Sequence, residues 1–365
     1  MTKTKTKNKA LRLSLTALGV LVALLLTAFL GYFLYLLIDY ERIEDNLALT
    51  VGGSGDGVMA TGVTYTALAQ NIGFGAYTPD FSFFMDGGTE SRAASRESVI
   101  ACTEAALRQA GEADADLYLF QEVDTDSDRS YHVDQSALLA AGLPQYANVF
   151  AVNYHSSYLF YPFLDPHGAS NSGLMTFSRF TVTSALRRSF PIATSLAKLL
   201  DLDRCYSVTR IPVEGGRELV VYNVHSSAYG GSDEIRTAQM TMLLGDMQRE
   251  YLAGNYCVAG GDFNHDFTGD STLVFNGEAS DYGWAQPFPT HLLPEGIRLV
   301  TEYEGALVPT CRNCDVPYGE DCMTLIVDGF IVSENVKTDF VRNVDTGFAY
   351  SDHNPVLLGF TLLPQ

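Results

Sequence analysis

Six apolar runs in this chain break on an amide, a carboxylate or an imidazole. Ala67 to Gln70 runs into Asn71, and Leu117 to Phe120 leads through Gln121 to Glu122. Val220 to Val224 meets His225, and Tyr256 to Ala259 leads through two glycines to Asp262 and Asn264. Asp328 interrupts the stretch from Leu325 to Val332, and Asp352-His353 precede the run from Val356 to Leu362. Runs of this length, bounded by turn residues, read as buried strands. Further strands are expected at Val63–Ile72, Val149–Tyr154, Gly173–Phe177 and Cys205–Ile211. Helical spacing appears in Ser95–Gln109, with a stop at Gly111, in Gln135–Ala141 before Gly142 and Pro144, and in Ile235–Tyr251. Residues 266–322 read as one long loop. Two strand sets with interspersed helices predict an α/β sandwich rather than a tandem βαβ array. No internal repeat stands out.

The first 38 residues follow a different pattern. Lys3, Lys5, Lys7, Lys9 and Arg12 precede an uncharged run from Leu13 to Ile38. Twenty-six residues suffice to span a bilayer core of about 30 Å with some tilt. A cleaved leader has a shorter apolar core and a small-residue site, and Asp39-Tyr40-Glu41-Arg42 offers none. The run therefore reads as a signal anchor. Cations before it and acids after it place residues 1–12 in the cytoplasm and the remainder outside. Residues 39–62, rich in glycine between Thr50 and Gly62, read as an extracytoplasmic tether, and 63–365 as the catalytic domain.

The chain of 365 residues, 47% hydrophobic, can bury a large core. Setting aside the five N-terminal cations, 18 basic residues face 43 acidic ones, a net charge of −25. Such a surface repels polyanions and argues against non-specific nucleic-acid binding. An anionic substrate is still accessible to a site where metal ions supply positive charge. Six cysteines are too few for a disulfide scaffold. Cys102 and Cys257 sit in apolar patterns as buried thiols. Cys311, Cys314 and Cys322 share one loop, where a bridge, free thiols or a zinc site lacking an evident fourth ligand are the alternatives.

Any one polar residue at a strand end can be explained by the strand simply stopping there, and Asp262 alone could be a turn acid. Six such ends using only Asn, Asp, Glu and His point to a shared site, since strand ends on one side of a sheet converge. The segments Gln-Asn-Ile-Gly (70–73), Gln-Glu-Val-Asp (121–124), Ser-Gly-Leu-Met-Thr-Phe-Ser-Arg (172–179) and Asn-Val-His-Ser (223–226) come first in order. Gly-Asp-Phe-Asn (261–264), Val-Asp-Gly-Phe-Ile-Val-Ser (327–333) and Ser-Asp-His-Asn-Pro-Val (351–356) follow. With these seven segments in sequence, the chain over about residues 63–362 resembles the endonuclease/exonuclease/phosphatase family of metal-dependent phosphoesterases.

The resemblance implies a four-layer α/β/β/α sandwich, like that of pancreatic-type deoxyribonuclease, with the site at one end of two packed sheets. It implies Mg²⁺, with Mn²⁺ possible, held by Glu122 with Asn71 and Asp352 nearby; a hard cation prefers oxygen ligands. Asp262 would orient or deprotonate the attacking water, and Asn264 would contact the phosphate. His353, polarised by Asp328, and His225 would neutralise charge on phosphorus, and Asn171 would touch the substrate. The expected reaction is water attack on a phosphodiester or phosphomonoester in a lipid headgroup or small molecule. A nuclease of the same family and an inactive surface binding module are the alternatives. Nothing in the sequence points to a protein partner. His265, Asp266, Arg312 and the aromatic run Phe81–Phe84 are read as scaffold first, with a specificity role open to the last two.

Overall fold

The computed structural model of the chain describes residues 2–199, 202–228, 233–278, 283–284 and 286–364. Met1 and Gln365, which bound the expected segments, lie outside the described residues. Two compact units emerge, Met1–Arg42 and Ile43–Gln365. The first is the helix Thr2–Asp39, within which Leu11–Asp39 has a mean hydropathy of 2.5 and is long and apolar enough to cross a membrane.

The second unit holds two mixed seven-stranded sheets. One runs in spatial order through Leu47–Ala48, Ser184–Ser189, Cys205–Val213, Arg217–His225, Tyr256–Asp262, Asp328–Ser333 and Ile297–Val300. The other runs through Val336–Asn343, Val356–Leu362, Thr64–Asn71, Leu117–Asp124, Asn171–Ser178, Ala147–His155 and Val51–Gly53. Alternation along the strands explains the layering. Ala67, Ala69 and Leu119 of one sheet meet Val221, Val258 and Phe330 of the other in the central core. Leu68, Tyr118 and Phe120 point the other way, onto Cys102, Ala106 and Ala110 of the helix Arg96–Ala113. On the opposite flank Val220, Tyr222 and Cys257 pack against Met240, Leu243 and Met247 of the helix Asp233–Leu252. The result is the expected α/β/β/α sandwich.

Three local expectations change. Residues 43–62, read as a tether, contribute the edge strands Leu47–Ala48 and Val51–Gly53 and a fully buried Met59. Main-chain pairing at an open sheet edge is indifferent to glycine content, so a Gly-rich segment can still serve as a strand. The first catalytic-unit helix runs past Gly111, which faces open space, and stops instead at Asp114 in the left-handed region (φ 43°). The long loop 266–322 contains the helix Ser271–Asn276 and the strands Ile297–Val300 and Cys311–Arg312.

Candidate active site

Strand register assembles half of the site. Tyr256–Asp262 lies between two neighbours, and Asp262 pairs with His225 on one side and Asp328 on the other. Three chemically active side chains thus form one row at the end of one sheet. In the second sheet, Asn71 pairs with Gln121, which puts Glu122 alongside, and the segment carrying Asp352 and His353 leads into Val356, opposite Ala69. A buried bridge locks the two sheets beneath the site. Gln121 donates to Asn223 Oδ1 at 2.7 Å, and Asn223 Nδ2 donates to the Phe120 carbonyl at 3.2 Å.

Two of these residues sit on unusual backbone. The pairing of Leu117–Asp124 with Asn171–Ser178 slips between Phe120 and Val123, and Glu122 inside that bulge has φ 54°. Bulges redirect a side chain, and here Glu122 turns into the cleft while its neighbours are buried. Asn264, at φ 48°, likewise faces the cleft. Left-handed backbone at non-glycine residues costs energy and clusters at functional positions. Gly261 is required by its surroundings: at φ 138°, a Cβ there would stand 2.2 Å from the Val224 carbonyl oxygen.

The side chains converge on a cleft of about 130 Å³ lined by Glu122, His225, Asp262, Asn264, Asp352 and His353, among others. Asn71 Nδ2 reaches Glu122 Oε1 at 3.1 Å and Asp262 Oδ2 at 3.2 Å, while its Oδ1 accepts from Gly73 N at 2.9 Å. In this orientation Asn71 serves both carboxylates as a donor. Asp262 Oδ1 accepts from Asn264 N at 2.9 Å, and its Oδ2 lies 3.5 Å from His225 Nε2 and 3.9 Å from His353 Nε2. His353 Nδ1 meets Asp328 Oδ2 at 2.8 Å. Asp328 is fully buried behind this histidine. Asn171 begins its strand paired with His155 and is not among the cleft-lining residues.

Burial sets the two histidines apart. It drives His225 well below the ordinary imidazole value, assisted by the charges of Arg204, His353 and Arg129. Asn153 Nδ2 lies 3.2 Å from His225 Nδ1, so with the amide so oriented the neutral ring carries its proton on Nε2, facing Asp262. Burial also opposes charge on His353, but the Asp328 carboxylate overcomes it and raises His353 well above the ordinary value. Burial pushes Asp262 up to about 7, with His353 pulling it down and Asp328 pushing it up. Asp352 rises to about 6 through burial, with Glu122 adding to the rise.

Desolvated carboxylates gathered in one cleft suit a hard divalent cation. Among the described residues, Asp262, Asp328 and His353 bring one ligand atom each within 4.8 Å of one another and could hold a metal ion. The hydrogen bond between His353 and Asp328 makes that trio read equally well as an acid–base relay. Glu122 and Asp352 stand on the other side of Asp262, where oxygen alone is offered.

The family model described as "Endonuclease/Exonuclease/phosphatase family" matches residues 69–353. The chain belongs to this family. No curated protein matches the chain. Among solved structures, an endonuclease/exonuclease/phosphatase from Beutenbergia cavernae DSM 12333 is similar at 17% identity and a TM-score of 0.56, over 82% of this chain and 72% of that one. A family protein from Leptotrichia buccalis C-1013-b is similar at 14% identity and a TM-score of 0.53, over 81% and 99%. ANGEL2, described as a 2',3'-cyclic phosphatase in complex with adenosine-2',3'-vanadate, is similar at 14% identity and 0.51, over 86% and 98%. Membership in the endonuclease/exonuclease/phosphatase family makes the chain a hydrolase of the phosphoesterase/nuclease class.

The family site carries residues that the sequence pattern did not single out. Arg129 packs 3.9 Å over the Phe74 ring and holds Asp124 through Nε and Nη2 at 3.0 and 2.8 Å. Asn153, Tyr77 and Arg204 are further additions. None ends an apolar run on the cleft side, so the strand-end signal passes over them. Of the residues read as scaffold, Asp266 accepts from Thr268 N, Gly269 N and Ser271 N, as an Asx turn does. Arg312 is buried and donates to the Thr78 and Phe81 carbonyls, and Phe83 forms part of the cleft wall. All six cysteines are free and buried, and burial pushes the Cys311 thiol up to about 12.

Proposed function

We propose that the chain is a membrane-anchored, extracytoplasmic phosphoesterase that uses Mg²⁺, with Mn²⁺ as a substitute, to hydrolyse a phosphodiester or phosphomonoester by water attack. One observation carries this reading. A carboxylate with a value near neutrality, Asp262, stands between a neutral imidazole and a charged one, beside a second group of carboxylates. Glu122 and Asp352, with Asn71 beside them, would hold the cation, which supplies Lewis-acid neutralisation of a phosphoryl oxygen.

The remaining work falls to the chain. Asp262, poised near neutral pH, takes the proton of the attacking water. His353, kept cationic and oriented by Asp328, donates to phosphoryl or leaving-group oxygen. His225 offers Nε2–H as a neutral donor, and Asn264, whose amide is anchored on the Ser226 carbonyl at 3.0 Å, has its second N–H for the phosphate. These donors are fixed before substrate arrives, which is what makes such stabilisation effective.

A lipid-headgroup ester is the favoured substrate. The loop between Ala147–His155 and Asn171–Ser178 exposes Phe160, Tyr161, Phe163 and Leu164, the last two at 81% and 102%. Its Tyr161 ring stacks 5.8 Å from Phe84, which in turn sits 5.8 Å from His167 in the cleft wall. An apolar cluster at a cleft rim suits a site that works at a bilayer. The apolar N-terminal helix, with cations before it and acids after it, supports anchoring with the catalytic unit outside. The test is the full chain in detergent micelles, supplied with bis-p-nitrophenyl phosphate, sphingomyelin vesicles, inositol phosphates or plasmid DNA, with Mg²⁺, Mn²⁺ or EDTA. Mg²⁺-dependent turnover with a preference for vesicles supports the reading; no turnover of any ester overturns it, and a preference for DNA overturns the lipid assignment.

A further inference from the structure

The cleft contains three arginines, and two of them are fully occupied. Arg129 is bound through two nitrogens to Asp124, and Arg312 is bound to main-chain carbonyls. Arg204 differs. It is 4% exposed and lines the cleft, yet its Nε and Nη1 are shut off from solvent with no hydrogen-bond partner. The neighbouring acid does not serve it: Asp203 Oδ2 lies 3.4 Å from Arg187 Nη2 and accepts from Ile43 N.

A buried guanidinium without a partner is unfavourable, because desolvation of the charge is uncompensated. In a chain of net charge −20, with carboxylates abundant, nothing in the composition forces this. The guanidinium edge made by Nε–H and an Nη–H presents two parallel donors, the geometry that matches two oxygens of one carboxylate or phosphate. Arg204 is also close enough to His225 to depress its proton affinity, so its charge acts where the imidazole faces Asp262.

We propose that Arg204 forms an anion subsite of the cleft that receives two non-bridging oxygens of the substrate's phosphate group. This deepens the phosphoesterase reading and rests on it for the identity of the anion. It assigns the missing counter-charge to the ligand: the fold keeps the fork unpaired so that substrate completes it. The subsite lies on the His225 side of Asp262, so phosphorus would be held between this fork and the carboxylates at Glu122 and Asp352.

The experiment uses the full chain in micelles and inorganic phosphate as the probe, by calorimetry in EDTA and in Mg²⁺, with thermal unfolding alongside. Arg204→Gln should weaken phosphate binding at least tenfold, and Arg204→Lys less, because a point charge keeps the attraction but loses the fork. Without phosphate, Arg204→Gln should unfold at the same temperature as the parent chain or higher, while the rise in Tm that phosphate gives the parent chain should vanish. On bis-p-nitrophenyl phosphate, KM should rise at least tenfold with kcat changing less than threefold. A lowered Tm in the absence of phosphate together with an unchanged phosphate Kd would show a structural arginine and overturn the proposal. Phosphate binding that depends on Arg204 in a chain that hydrolyses nothing would uphold the subsite and overturn the hydrolase reading. Turnover with KM unaffected by Arg204→Gln would do the reverse.

Discussion

Asp262 and His353 divide their labour by environment. Both are buried, but the carboxylate faces one cation and other acids, while the imidazole has Asp328 at 2.8 Å. Asp262→Asn should therefore lower kcat by about 10²–10⁴-fold with little change in fold, as removal of a general base does; steady-state kinetics and circular dichroism check it. Asp328→Asn should release His353 toward and below the ordinary imidazole value, because the carboxylate is what outweighs burial. Histidine ring NMR titration reads this directly, as a midpoint moved to lower pH. The carboxylates also bear on stability. Asp262 and Asp352, raised to about 7 and about 6, favour the fold while protonated, and that contribution is lost as pH rises from about 4 through those values. The increase in Tm caused by Mg²⁺ should accordingly be larger at pH 8 than at pH 5, where protons occupy the ligands; differential scanning calorimetry at both pH values decides.

At the scale of elements, the site depends on two strand ends that leave ordinary geometry, the Glu122 bulge and the Gly260-Gly261 turn. Gly261→Ala should destabilise the fold by at least about 2 kcal/mol, since strain at such a φ is worth about 1–3 kcal/mol before the clash with Val224 is counted; urea unfolding measures it. The six polar strand ends were legible in the sequence because buried strands must be apolar, so the first Asn, Asp, Glu or His after such a run marks where the sheet stops. Less legible were elements whose polar residues are buried in pairs. Ser184–Ser189 reads Ser-Ala-Leu-Arg-Arg-Ser and shows no apolar run. Yet Arg187 is buried against Asp203, and Arg188 joins Asp45 and Asp246, so partners distant in sequence make the strand possible. Arg204 escaped notice for the related reason that no local pattern separates a buried cation from a solvated one. Val51–Gly53 was hidden because its pairing uses main chain alone.

For the whole molecule, charge and the N-terminal helix act together. An acidic catalytic unit held at a bilayer stays away from nucleic acid in bulk and meets esters presented at the lipid surface. The full chain should sediment with membranes and resist alkaline carbonate, and deletion of residues 1–42 should release the remainder into the supernatant, as fractionation and immunoblotting would show. Turnover of sphingomyelin vesicles should fall at least tenfold on Phe163→Ser with Leu164→Ser, with bis-p-nitrophenyl phosphate hydrolysis unchanged, because both side chains point into solvent and touch no cleft group.

The Gln121–Asn223 bridge has a mechanical meaning. Asn71, Glu122 and Asp352 ride on one sheet, and His225, Asp262 and Asp328 on the other. The catalytic centre is thus a vernier across the sandwich: a slide of one sheet against its partner by a fraction of a residue's length would leave every strand intact and every reacting group out of alignment. Asn223→Leu, which cuts the pin and strands a buried Gln121 donor at a cost of about 1–3 kcal/mol, should make activity disappear at lower urea than the far-ultraviolet signal, so that turnover becomes a gauge of how the two halves are docked.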